Sequence, residues 1–135
     1  MATYEPKKPE QWLREFHEAM GDKPLIERDA FGRQKAIDLR MSLITEEYHE
    51  VMDELLDMRR GGGNIEHLAK ELADLCVVVI GTADLMEIPF TESFEAVMRS
   101  NMSKIQPDGT VIRRADGKVL KPANYRDADM SFLVQ

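Results

Sequence analysis

The sequence has no second cysteine. Cys76 stands alone among 135 residues, so no internal disulfide framework can form, and a reducing compartment suits the chain. Long apolar runs are missing too. The longest unbroken one, residues 75–80, falls far short of the ~18 residues that a membrane-spanning helix requires. The opening MATYEPKKPE holds no apolar signal core, which leads to the expectation of a cytoplasmic protein. An excess of positive charge is also absent. The 18 Lys and Arg residues face 25 Asp and Glu, a formal net charge of −7, which argues against a nucleic-acid polymer as partner. There are no repeats and no low-complexity tracts. What remains, 43% hydrophobic and 32% charged, is the composition of a globular chain whose length suits one domain.

Pro, Gly and Asx residues divide the chain into four predicted helices and a non-helical end. Pro9 suits a helix start, Trp12, Phe16 and Met20 recur at i, i+4 and i+8, and Gly21 closes the segment. That spacing predicts Trp12 and Phe16 as core residues. Residues 21–32, with Gly21, Pro24 and Gly32, read as a connection. From about residue 33 to 60 there is neither Pro nor Gly. Ile37, Met41, Ile44, Tyr48, Val51, Leu55 and Met58 keep helical spacing there, as one long helix or two abutting ones. Gly61-Gly62-Gly63 breaks it, and Asn64 is the expected N-cap of a helix over residues 65–86. Between Leu72 and Ala83 that helix is apolar nearly all round, the pattern of a buried helix, with Cys76 as inert core. Thr91 is expected to cap a last helix that runs to about Met102. Asp108-Gly109 and Asp116-Gly117 are turn dipeptides, and residues 110–114 and 118–120 form either a small hairpin or an extended loop. The expected fold is all-α: an antiparallel four-helix bundle over about residues 9–103 and an irregular or short-hairpin arm over about 104–135, within a single domain. The all-round apolar helix needs more cover than three neighbours give, which points to pairing with a second copy.

Chemistry is concentrated in acids. Glu46, Glu47, Glu50, Asp53, Glu54 and Asp57 come with no Lys or Arg among them. At ~100° per residue they form one stripe of a helix. Such a stripe is either a solvated face or a cation site; solvated faces interleave Lys, and like charges at i, i+4 repel. Glu71, Asp74 and Asp84 lie inside the apolar helix, where a buried carboxylate requires a partner, a proton or a metal. Lys70 is expected to point elsewhere, leaving either an ion pair with an arginine such as Arg40 or a metal. If the two helices run antiparallel about the glycine turn, Glu46, Glu47 and Glu50 face Glu71 and Asp74. Five converging carboxylates select a hard cation, Mg2+ or Mn2+, which shares its shell with phosphates. His49 and His67, the nearby imidazoles, are expected outside that shell. Residues 100–126 carry six basic side chains against two acidic ones, either balancing the acidic helices or gripping an anion.

The pattern Glu46-Glu47-x-x-Glu50, twenty residues, Glu71-x-x-Asp74 resembles the EExxE…ExxD motif of the MazG-like all-α nucleoside triphosphate pyrophosphohydrolases. This superfamily includes dimeric dUTPases and phosphoribosyl-ATP pyrophosphohydrolases. The likeness extends to Asp84, to Asn101-x-x-Lys104 and to the RRADGKVLKPANYR segment, which is similar to the end of the short single-domain branch. The resemblance implies cleavage of a nucleoside triphosphate between its α and β phosphates, with dUTP among the substrates, and Mg2+ or Mn2+ as cofactor. It implies a homodimer or homotetramer. By position it makes Glu47, Glu50, Glu71 and Asp74 metal ligands and lets Glu46 reach a further ion. Glu47 is the expected general base. Asn101 and Lys104 would contact substrate, with Arg113, Lys118, Lys121 and Tyr125 as looser counterparts. Asp53, Glu54 and Asp57 lie beyond the motif and are expected to be solvated, with Asp53 the candidate to support the metal ligands from behind. The alternatives are a phosphoribosyl-ATP pyrophosphohydrolase and a non-catalytic acidic helical interaction module.

Overall fold

The computed structural model describes residues 5–134. Four helices carry the chain, and no strand occurs among the described residues: α1 (Pro9–Met20), α2 (Ala30–Arg59), α3 (Ile65–Leu85) and α4 (Phe90–Met102). The expected all-α class is therefore observed, with short 3-10 turns at Leu25–Glu27 and Ser131–Val134. None of the described helices is long and apolar enough to cross a membrane.

Local chemistry sets most of the boundaries. Pro9 opens α1 and Gly21 ends it, with the Asp22 amide returning to the His17 carbonyl at 2.9 Å. The predicted long helix is one continuous element of 30 residues. It begins three residues earlier than expected because Asp29 caps it, accepting the Gly32 amide at 2.7 Å. Asn64 caps α3 as expected, taking the amides of Glu66 and His67 at 2.7 and 3.3 Å. Thr91 does not cap α4. It lies inside the helix, whose cap position is Pro89.

The chain divides into two compact units, one ending at Ile88 and one beginning at Pro89. In the first, α3 packs against both α1 and α2. Leu25, Ala36 and Leu85 form a buried apolar cluster, and Leu13, Val51, Leu68, Val78, Ile80 and Ala83 are buried with them. The face of α1 turned inward is Leu13 and His17. Trp12 and Phe16 are more than half exposed, which overturns their expected core role. Leu13 and His17, narrower than Trp12 and Phe16, let α1 come close to α3 at Gly81.

Gly81 marks that approach. A Cβ there would stand 3.0 Å from Arg40 Nη2 and 3.3 Å from both His17 Cε1 and Leu13 Cδ1, so helices α1 and α2 crowd one point of α3. Overpacking costs ~1–3 kcal/mol, against ~1 kcal/mol gained from the better helix propensity of alanine. Gly81→Ala is therefore expected to lower the melting temperature. A temperature at or above wild type would show that this point is not crowded.

The buried side chains of His17 and Arg40 are partnered across the helices. Asp84 takes His17 Nδ1 at 2.7 Å and Arg14 Nε at 2.9 Å, tying α1 to the end of α3. Arg40 is buried on α2 and donates to the Val78 carbonyl and the Thr82 hydroxyl, each at 3.0 Å. Burial pushes its pKa down, with Asp22 opposing. The expected all-round burial of α3 does not hold for this chain: Leu72, Cys76, Val77 and Val79 are exposed. Cys76 is thus a surface thiol in the single chain.

In the second unit the arm folds back on α4 through polar clasps. Buried Ser100 donates to the Arg126 carbonyl at 2.7 Å and lies 3.1 Å from the Tyr125 hydroxyl. Asn124 donates to the carbonyls of Ser103 and Ile105 at 3.0 and 2.8 Å. Of the two open readings for residues 110–120, the structure shows a minimal hairpin. A single antiparallel bridge joins Arg113 and Val119, and the Asp116-Gly117 turn closes it with a 2.7 Å bond from the Arg114 amide to the Lys118 carbonyl.

Candidate functional site

Helix α2 places polar as well as apolar groups on its inward side. Its inward positions include Ala36, Arg40 and Val51, with Glu47 and Glu54 half-buried, while Met41, Tyr48, Met52 and Leu55 are exposed. Two acids are thus drawn toward the protein while several large apolar groups face water; Glu46, Glu50, Asp53 and Asp57 remain exposed. A wholly solvated acidic face would leave Glu47 and Glu54 exposed as well.

Across the glycine turn, Glu47 and Glu50 of α2 meet Glu71 and Asp74 of α3. One carboxylate oxygen from each lies within 4.8 Å of the others. Two oxygens of the group, Glu47 Oε2 and Glu71 Oε2, are sealed from water and have no hydrogen-bond partner. An unmet buried acceptor is unfavourable, and more so when it is charged. The crowding shows in Glu71. Its carboxyl is raised above the ordinary carboxylate value by a hydrogen bond with the Glu50 carboxyl, by burial and by the charge of Asp74, while Lys70 opposes the rise. The arrangement invites positive charge, and one is already drawn in. Lys70 Nζ lies 2.7 Å from Asp74 Oδ2 and 3.9 Å from Glu71 Oε1. Lys70 thus does not point elsewhere, as the sequence suggested; it reaches one turn along α3 at i, i+4 spacing. Its ammonium is raised in turn, first by the hydrogen bond to Asp74.

These features fit a hard divalent cation. The donors are all carboxylates, two of their oxygens are unsatisfied, and no imidazole or thiol joins the group. His49 and His67 are both exposed and outside it. Arg40, the expected competitor for Glu71 and Asp74, is occupied by Val78 and Thr82. Glu46 is exposed and is not among the four clustered acids.

The raised Glu71 gives a signed expectation. An acid whose folded pKa lies above its unfolded value contributes stability that is present at low pH and lost as pH rises through the folded value. In metal-free protein at neutral pH, Glu71→Gln should therefore raise the melting temperature, and the gain should shrink on acidification. A lower melting temperature at neutral pH would contradict the crowding of like charges.

The remaining sequence-predicted residues lie in the second unit. Asn101 is exposed near the end of α4, and Lys104 is half-buried just beyond it, its amide donating to the Asn101 carbonyl at 3.1 Å. Lys118 and Lys121 are exposed, the latter with its ammonium 4.8 Å from the centroid of the Tyr125 ring. Arg113 spends a donor on the Gly117 carbonyl at 2.9 Å, and Arg114 forks onto Asp116 at 2.9 and 2.6 Å. Two residues were missed by sequence reasoning. Lys70 was discoverable from its four-residue spacing to Asp74. Glu54, expected to be solvated, instead accepts the Asn64 amide through Oε1 at 2.7 Å.

The family model for phosphoribosyl-ATP pyrophosphohydrolase matches residues 13–101, about two-thirds of the chain, including all four clustered acids. A comparison with curated proteins gave no match.

Proposed function

Because the chain belongs to the phosphoribosyl-ATP pyrophosphohydrolase family, part of the MazG-like all-α superfamily, we propose that it hydrolyses a nucleoside triphosphate to the monophosphate and pyrophosphate. A pyrophosphohydrolase acting on a nucleotide-like substrate is the general activity of the family. The observation that carries the reading is the convergence of Glu47, Glu50, Glu71 and Asp74 with two unsatisfied oxygens among them. Glu47, Glu50, Glu71 and Asp74 would hold Mg2+ or Mn2+, which when bound supplies positive charge to the phosphate oxygens and acidity to a water. Glu47 acts as general base and takes a proton from the attacking water. The α phosphorus gains the water oxygen, the α–β anhydride bond breaks and pyrophosphate leaves. Asn101 and Lys104 contact the substrate, and Lys104 meets charge that develops on the phosphoryl oxygens. Arg113, Lys118, Lys121 and Tyr125 serve as further substrate contacts from the arm.

Assembly as a homodimer or homotetramer goes with this reading. It is supported by the large apolar groups that α2 and α3 leave uncovered, Met41, Tyr48, Met52, Leu55, Leu72 and Val79 among them.

A second reading, phosphoribosyl-ATP as substrate, is favoured by the family that matches; it breaks the same kind of anhydride bond. A pyrophosphate-release assay separates the possibilities. It uses dUTP, dCTP, dTTP, dATP, ATP and phosphoribosyl-ATP, each with Mg2+ and with chelator. Metal-dependent release from a nucleoside triphosphate, dUTP included, supports the proposal. Release from phosphoribosyl-ATP alone moves the assignment to the second reading. No release from any substrate returns it to a non-catalytic helical module.

A further inference from the structure

We propose that Glu54 is a positioning residue for the carboxylate cluster, setting the register of α3 against α2 through its bond to the Asn64 amide. The inference rests on reading Glu47, Glu50, Glu71 and Asp74 as a divalent-ion site. Glu54 stands one turn beyond Glu50 on α2, and Asn64 stands two turns before Glu71. Glu54 Oε1 accepts the Asn64 amide at 2.7 Å, and Asn64 Oδ1 accepts the Glu66 and His67 amides at 2.7 and 3.3 Å. An unbroken line of bonds therefore runs from α2 into the first turn of α3.

The connection it spans gives the bond its purpose. Gly61, Gly62 and Gly63 are the residues with the greatest backbone freedom, placed between the two helices that carry the clustered acids. Gly63 has φ +79° and passes so close to Met58 that a Cβ would run into its side chain and stand 3.1 Å from its backbone nitrogen. The turn is thus folded tightly over the end of α2. One residue of slippage in α3 would move its side chains by ~1.5 Å along the axis and ~100° around it. Glu71 and Asp74 would then no longer face Glu47 and Glu50. A carboxylate accepting a backbone amide is a charge-assisted bond with a fixed reach, suited to prevent such slippage. It also accounts for a half-buried acid beyond the clustered four.

The test compares wild type with E54Q, E54D and E54A. Glutamine keeps the acceptor and the reach but loses the charge; aspartate keeps the charge but is too short. Calorimetric titration with Mn2+, run well below each melting temperature, should show affinity lowered by about 10-fold in E54D and E54A and changed by less than about 2-fold in E54Q. Amide exchange at Asn64 should quicken in E54D and E54A alone. Should E54A fail to fold, the E54D and E54Q pair decides. Wild-type affinity in E54D and E54A, or E54Q as weak as E54D, overturns the positioning role and leaves the metal site standing. A wild type that binds no Mn2+ overturns both.

Discussion

Glu50→Gln and Asp74→Asn should each lower kcat/KM for pyrophosphate release by at least about 100-fold, roughly 3 kcal/mol of transition-state stabilisation. Each replacement keeps size and shape and removes one negative charge from a group whose oxygens lie within 4.8 Å of one another. The fold should survive. Glu50 is exposed, and the ion pair lost at Asp74 joins it to Lys70, a side chain that is 68% exposed, so little stability depends on it. Circular-dichroism melts of the metal-free variants should match wild type or exceed it, because like-charge crowding is relieved. Steady-state assays beside those melts give the decision. A variant that keeps full turnover would remove its residue from the catalytic machinery, and retention by both would remove the cluster.

Asp84→Ala should produce the largest loss of stability, about 2–3 kcal/mol, or ~10 °C in melting temperature. His17 is only 3% exposed, and its Nδ1 has Asp84 Oδ2 as partner at 2.7 Å. Removing the carboxylate leaves that nitrogen unpartnered in the interior and frees α1 from the end of α3. The bridge to Arg14 adds less, since that side chain is 43% exposed. Thermal melts of Asp84→Ala and Arg14→Ala should therefore differ widely, with the arginine variant close to wild type. Equal, small losses would show that the buried pair does not anchor α1.

The helices were legible in the sequence because proline, glycine and Asx residues act through their own backbones. Pro9, Gly21, the glycine triplet and Asn64 mark four boundaries without tertiary information. Asp29 was missed because Gly32, two residues inside α2, reads as a breaker until its amide is seen bonded to the cap. The four clustered acids were legible too, since the spacing of two helices about a short turn dictates who can face whom. Which apolar face lies inside was not. Periodicity reports that a stripe exists, not whether Trp12 or Leu13 meets α3, and close approach at Gly81 selected the smaller side. Nor could spacing on α2 alone show that Glu54 ends on Asn64, because that bond depends on how the glycine turn closes.

The central claim is that acids from two neighbouring helices gather to hold a divalent ion. Calorimetric titration of the metal-free wild-type protein with Mn2+, repeated on single Glu47→Gln, Glu50→Gln, Glu71→Gln and Asp74→Asn variants, tests it most directly. Saturable binding by wild type, weakened at least about 10-fold by each neutral replacement, is the expected result. Absence of binding by wild type, or binding that none of the four replacements weakens, would contradict it.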